Sequence, residues 1–346
     1  MSKYISYRNR SGTVSFIMQK KTLFAISTLV CVSIILFLAG LSIGSTMLNP
    51  IEVIKHLLGL GSGEYAFIID TVRLPRMLVA LLAGAALGVS GLILQGMIRN
   101  PLGSPDIIGI TGGASLAAVI FITYYADTVS IHWLPVAAIT GAGIIAALIY
   151  TLSWKKGVTP IRLVLIGIGA AAAMGALTTF VIVIGNNYST TQAYLWLTGS
   201  VYGASWTNVY TMLPWVLILI ALSLLFTKTA NAQELGDDMA SGLGIRVQLD
   251  RFSLLFISVT LAGLAVAFAG GIGFVGLIAP HIARKLVGRS FGSIVPVSAL
   301  IGGLIVFLAD VVARTAFLPL DLPAGIFVSG IGAPFFIYML YKSRHQ

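Results

Sequence analysis

Charge-free apolar runs divided by short polar breaks set the pattern of this chain. The most informative stretch, RLPRMLVALLAGAALGVSGLILQGMIRNPLGSPDIIGITGG over 73–113, opens with two arginines around a proline. It then runs 22 residues, 77–98, without a charge. At about 1.5 Å per residue, that length spans a hydrocarbon core of roughly 30 Å. Asn100-Pro101-Leu102-Gly103 stops the helix, and Ser104-Pro105-Asp106 can start the next. Ala83, Gly84, Ala85, Ala86, Gly88, Ser90 and Gly91 fill the span with small side chains. Such residues let helices approach closely where lipid supplies no hydrophobic drive.

Further uncharged runs fall at 22–45, 107–125, 133–154, 206–227, 252–272 and 323–341, and a further apolar span at 293–313 carries only Asp310. The tract 163–227 is 65 residues long, too long for one crossing. The polar patch 186–192 divides it into a helix at 163–185, a short amphipathic piece with Tyr194 and Trp196, and the span at 206–227. Gly270-Gly271-Ile272-Gly273 breaks the chain again, and Pro280 is expected to start a short helix ending near Gly288. The pattern predicts an all-α, polytopic membrane protein of about ten transmembrane helices, one of them short. A basic tail covers 1–21 and a single membrane domain 22–346. A shift of 179 residues aligns Leu82, Ala83, Gly84, Gly91 and Pro101 with Leu261, Ala262, Gly263, Gly270 and Pro280. Five segments separate the two copies, so they run in opposite directions, an inverted repeat of the kind transporters use.

Composition strengthens the membrane reading. The chain is 58% hydrophobic and 9% charged, with a mean hydropathy of +0.98; soluble domains carry about 25% charged residues. One cysteine, Cys31, excludes a disulfide framework. The first apolar run is longer than a signal-peptide core and reads as a retained helix. The net charge of +10 is a matter of topology rather than of nucleic-acid binding: 17 of the 21 basic residues fall on the side of the N-terminus. By the positive-inside rule both termini are cytoplasmic. The four exceptions are Lys55, Arg73, Arg76 and Arg314. Outward arginines gain nothing from that rule, so two readings stand for the last three: solvated interface anchors, or a patch for acidic residues of an extracellular partner. Arg314 also lies four residues after Asp310, which allows an intrahelical pair.

Several chemistries are absent. No phosphate-cradling G-x-x-x-x-G-K-[ST] occurs. The four histidines, His56, His132, His281 and His345, lack metal-ligand spacing, so no metal or cofactor is expected. His281, after Pro280, reads as a capping or packing residue. No Asp, Glu, Lys or Arg lies mid-span in the first seven segments. Ion-coupled carriers generally need such groups, so energy is expected from elsewhere. One polar segment offers an entry point: QELGDDMASGLGI, 233–245, reads as two short surface helices joined by a turn. It is either an ordinary acidic loop or a knob gripped by a soluble motor subunit.

RLPR with its small-residue helix, QGMIRNPLGSPDIIGITGGA, ELGDDMASGLGI, GGIGFVGLIAPHIAR and LPAGIFVSGIGAPFFIYML occur in that order. Together they resemble the iron-siderophore/cobalamin permeases of ABC importers, from about residue 20 onward. The resemblance implies a permease subunit of the bacterial cytoplasmic membrane that is not itself an enzyme. Its implied partners are a second permease subunit, identical or different, two cytoplasmic ATPases and an extracellular binding protein. It further implies docking of that protein on Arg73, Arg76 and Arg314, and coupling to the ATPases through Glu234, Leu235, Gly236, Gly242, Leu243 and Gly244. A cytoplasmic gate falls at Asn100, Pro101, Thr159 and Pro160, and the helix at 163–185 lines the pathway. The implied cargo is a ferric siderophore, with haem, cobalamin or ferric citrate as alternatives. An ion-coupled secondary transporter is the competing class.

Overall fold

The computed structural model describes residues 4–8, 15–61 and 63–343 and is almost wholly helical. It opens with two antiparallel strands, β1 (Tyr4–Arg8) and β2 (Ser15–Gln19), paired from Tyr4 with Gln19 to Arg8 with Ser15. The tail expected over 1–21 is thus partly a hairpin, and Lys20 and Lys21 already belong to α1 (Lys20–Ser42). The amphipathic α2 (Pro50–Leu57) follows, its start capped by Asn49, whose side chain accepts from Ile51 N at 3.0 Å. A π-helical turn, Phe67–Arg73, then runs straight into α3 (Leu74–Ile98). Neither α2 nor this turn was expected from the apolar pattern.

Next come α4 (Ile110–Tyr124), α5 (Leu134–Leu152), α6 (Pro160–Ile184), α7 (Asn187–Leu197) and α8 (Trp206–Leu225). Proline opens α6, where its missing amide would have no helical partner anyway. Two short helices, α9 (Thr227–Gln233) and α10 (Asp237–Gly242), form the polar segment. The chain ends with α11 (Val247–Ala269), α12 (Val275–Val287), α13 (Phe291–Thr315) and α14 (Ala324–Ser343). Among the described residues, seven helices are long and apolar enough to cross a membrane, and α4 and α14 are shorter apolar helices. With α12 they account for the ten expected segments.

Two boundaries differ from expectation. Helix α4 starts at Ile110, after Gly109 at φ 82°, so 104–109 is a turn in which Ile107 N donates to Ser104 Oγ at 3.4 Å. Pro280 lies inside α12, which begins after Phe274 at φ 65°. An interior proline leaves the carbonyl four residues earlier without its helical donor. Here that carbonyl, Gly276 O, accepts instead from Gln95 Nε2 of α3 at 3.0 Å. His281 is consequently a mid-helix residue, its ring edge-on to Phe335 at 5.7 Å.

The bundle is organised around α3, 78% of whose apolar window is buried, against 6% for α1. Its small residues are what bring the neighbours in. A Cβ on Gly84 would run into the carbonyl of Gly302 in α13, and one on Gly302 into the carbonyl of Gly84. Gly91 meets the backbone of Gly276 in α12 in the same way, and Gly88 leaves a Cβ only 2.6 Å from Ser298 O. Ser298 Oγ donates to Gly88 O at 3.0 Å. Ser90 and Ser258 donate to each other's carbonyls at 2.8 and 3.0 Å, pinning α3 to α11. Arg99, just past the end of α3, and Arg251, near the start of α11, reach the same carboxylate of Asp237. The leading helices of the two repeat copies therefore lie antiparallel, as an inverted repeat requires.

Replacing Gly84 by leucine forces backbones apart that have no slack, at a cost of about 3 kcal/mol or more. We expect Gly84→Leu to lower the melting temperature in detergent and broaden the size-exclusion peak. Gly143→Ala, in an exposed helical position with open space around it, should be neutral or gain up to about 1 kcal/mol. A wild-type melting curve for Gly84→Leu would contradict the close-packed spine.

Candidate functional site

At the N-terminal end of α3 the three arginines singled out from the sequence are brought together, but not as a free patch. Arg73, Arg76 and Arg314 are only 3%, 6% and 8% exposed. Arg73 donates to the carbonyls of Leu41 and Thr46, the latter at 2.5 Å, and so holds the end of α1. Arg76 forks onto Asp310 of α13, Nε and Nη2 donating to Oδ1 at 2.9 and 2.8 Å. It also donates to both oxygens of Asp321, at 2.5 and 2.7 Å, in the loop before α14. Arg314 Nη2 donates to Gly40 O at 2.6 Å, and the expected intrahelical pair with Asp310 is loose, 4.0 Å from Nε to Oδ2. Burial explains the pattern: a desolvated guanidinium needs its donors satisfied, and carboxylates and free carbonyls at helix ends supply the acceptors. Asp321, in contrast, is exposed as a residue.

At the opposite end, α9 and α10 form the two-helix knob expected from the sequence. Glu234, Leu235 and Gly236 make its turn, with Gly236 at φ 121°, and Gly242, Leu243 and Gly244 close it, with Gly244 at φ 80°. A side chain at either glycine would have space but a strained backbone. Ala232, Ala240 and Val247 form a small buried cluster beneath. Leu235, Met239 and Leu243 are 65%, 62% and 66% exposed, an apolar edge on a polar segment. Asp237 anchors the knob to the bundle. Arg99 donates to it, and Arg251 Nη2 donates to its two oxygens at 2.8 and 3.0 Å.

The four residues assigned to a gate sit on either side of that anchor. Asn100 and Pro101 follow Arg99 in an exposed turn, where Asn100 Oδ1 accepts from Leu102 N at 2.9 Å. Thr159 and Pro160 begin α6, directly after the buried Val158, whose carbonyl accepts from Arg251 Nη1. Helix α6 itself is largely uncovered. Gly169, Ala172, Ala173, Gly175 and Ala176 are exposed on it, whereas Gly167 is used internally, its absent Cβ making room for Ile108. A cavity of about 1970 Å³ forms an apolar groove among α5, α8 and α11, and of the three arginines and their carboxylate partners only Asp321 lines it. Among the described residues, no group of three His, Cys, Asp or Glu side chains is placed to hold a metal ion.

Sequence reading alone missed Asp310 and Asp321 as partners of Arg76, and Arg99, Arg251 and Asp237 as one cluster. Arg76 and Asp310 are 234 positions apart, and a charge pattern reveals only neighbours on one helix.

Comparison with known proteins adds the family. The model of the FecCD transport family matches residues 31–342. The achromobactin transport system permease protein CbrC of Dickeya dadantii is 47% identical over 336 residues, covering 97% of this chain and 96% of its own. A probable siderophore transport system permease protein, YfhA of Bacillus subtilis, is 47% identical over 319 residues, 91% of this chain and 92% of its own. A solved inward-facing structure of a metal-chelate type ABC transporter superposes with a TM-score of 0.81 at 30% identity, covering 93% of this chain and 99% of that one. A multi-pass helical bundle built on close-packed glycines, matched over nine-tenths of its length, thus belongs to the FecCD transport family.

Proposed function

We propose that this chain is the permease subunit of a binding-protein-dependent ABC importer that carries ferric siderophores inward across a bacterial cytoplasmic membrane. The observation that weighs most is the division of labour in the bundle. Ionisable groups gather at the two ends, at Arg73, Arg76, Asp310 and Arg314 and at Arg99, Asp237 and Arg251. Between them the uncovered face of α6 carries no charge, its glycines and alanines interspersed with Leu165, Ile168, Leu177 and Phe180. Such a wall offers a bulky chelate no strong ligand, and tight binding there would oppose release. Siderophore transport, named for YfhA of Bacillus subtilis, supports the cargo class.

In this reading two permeases stand side by side with α6 on the shared pathway, and both termini face the cytoplasm, as the basic residues favour. Two ATPases grip the α9–α10 knob through Leu235, Met239 and Leu243, with Glu234, Gly236, Gly242 and Gly244 setting its shape. Their closure opens and shuts the path at Asn100, Pro101, Thr159 and Pro160. The outer mouth built on Arg73, Arg76 and Arg314 receives the binding protein. Because those arginines are internally bonded, an acidic side chain of that protein competes with Asp321 for Arg76.

Co-expression with the neighbouring reading frames should recover an ATPase in the purified complex, and loaded binding protein should raise its ATP hydrolysis several-fold. Leu243→Asp, at an exposed apolar position, should weaken ATPase association at least tenfold. Recovery of no ATPase with the wild-type chain would overturn the proposal. Ferric citrate, haem or cobalamin taken up in place of a siderophore would reassign the cargo alone.

The docking reading predicts that Asp321→Asn releases Arg76 from one of its two carboxylates. Affinity for the binding protein should then rise about 3- to 10-fold, equivalent to roughly 1 kcal/mol, by surface plasmon resonance on nanodiscs. Unchanged affinity in the variant, with wild-type docking measured in parallel, would remove Arg76 from the docking surface.

A further inference from the structure

Three elements end at the inner face of the bundle without covalent continuity: the C-terminus of α3, the N-terminus of α11 and the α5–α6 turn. One carboxylate joins them all to the knob. Asp237, the first residue of α10, accepts from Arg99 Nη2 and from Arg251 Nη2, the latter at 2.8 and 3.0 Å. Arg99 also donates through Nε to Gln233 O at 2.7 Å, so it holds α9 and α10 together. Arg251 is 1% exposed and donates through Nη1 to Val158 O. The amide of Val158 donates in turn to Gln248 Oε1 at 2.9 Å, fixing the turn that leads into α6 from both sides.

The arrangement is not a passive surface pair. Arg99 holds its place in a left-handed backbone conformation, φ 56°, which a residue with a Cβ adopts at a cost. Arg251 is a buried cation whose only carboxylate partner among the described residues is Asp237. Removing that partner leaves a desolvated guanidinium facing a second one. Close by, the side-chain amide of Gln233 is buried and makes no hydrogen bond among the described residues.

We propose that Asp237 is the positioning residue that carries movement of the knob to the bundle, pulling the end of α3 through Arg99 and the start of α6 through Arg251 and Val158. The inference rests on the reading that an ATPase grips the knob, and it names the residue through which that grip acts. The turn 99–101 and the turn 158–160 then move as a unit with α10, since one side chain holds both. The exposed edge of Leu235, Met239 and Leu243 supplies contact area; Asp237 supplies direction.

The test has two arms. In the isolated chain, hydrogen exchange of the amides at 99–103 and 158–163 should quicken at least tenfold in Asp237→Asn and return toward wild type in Asp237→Glu. Unchanged exchange in Asp237→Asn would overturn the clasp, whatever the partner of the knob proves to be. In the assembled complex, with Cys31 replaced by serine, spin labels at Ser241, an exposed position of α10 outside the apolar edge, and at Ile161 are each measured against a label at Phe67. Addition of ATP should shift both distances in the wild type. In Asp237→Asn the Ser241 distance should still shift while the Ile161 distance stays put, ATPase association is retained, and uptake falls at least tenfold. An Ile161 shift and uptake equal to wild type in that variant would overturn the proposal. Should Asp237→Asn fail to fold, Arg99→Gln leaves the buried Arg251 pair intact. It should release the exchange at 99–103 alone, and unaltered exchange there would count equally against the clasp. A wild-type chain that binds no ATPase would defeat the functional reading, while the exchange arm still decides the clasp.

Discussion

Backbone-on-backbone contact along α3 is the constraint from which the rest of the bundle follows. Gly84 against Gly302, and Gly91 against Gly276, leave no room for a single methyl group. Lipid tails are as apolar as leucine, so burial of greasy side chains gives little drive for helix association, and close van der Waals approach must supply it. That approach sets α11, α12 and α13 around α3 and leaves α1 and α6 at the margin. The carbonyl freed by Pro280 shows how tightly the parts are matched, because Gln95 of α3 satisfies it. A break in a membrane helix survives only where a neighbour repairs the lost hydrogen bond.

A spine of this kind cannot easily deform along its length, so motion belongs to the elements around it. The turns at 99–103 and 158–160 and the α9–α10 knob are held by side chains rather than by fused backbones, and α6 meets the bundle closely only where Gly109 and Gly167 bring it onto the 104–109 turn. Side-chain clasps can exchange partners; interdigitated glycines cannot. Charge follows the same division, with the buried arginines confined to the two ends. At the outer end they tie α1, α3, α13 and the loop before α14, and at the inner end they tie the knob. Between the ends the wall of α6 is neutral and apolar, which suits a conduit driven from outside better than a carrier with its own ion site.

Much of this was legible in the sequence, and the exceptions have physical causes. The apolar runs located all ten segments because a bilayer dictates their length, and the small residues of 83–91 forecast the close approach that the glycines of α3 make. The helix starts at Ile110 and Val275 were missed because Ser104-Pro105-Asp106 and Pro280 look like local start signals. In this bundle Gly109 and Phe274, both at positive φ, mark the true beginnings. The outer arginines looked exposed because sequence shows position along a helix and not depth in a bundle. Asp310 and Asp321, their partners, lie more than 230 residues away from Arg76. The inner cluster was hidden for the same reason: Arg99, Asp237 and Arg251 belong to three elements that only folding brings to one point.

The central claim is that the bundle moves cargo only when a nucleotide-driven partner works its inner face. Liposomes containing this chain alone, loaded with no ATPase, test it directly when given a radiolabelled ferric siderophore with imposed proton and sodium gradients. The account predicts no accumulation above the external concentration under any gradient. Uphill accumulation by the lone chain would contradict it.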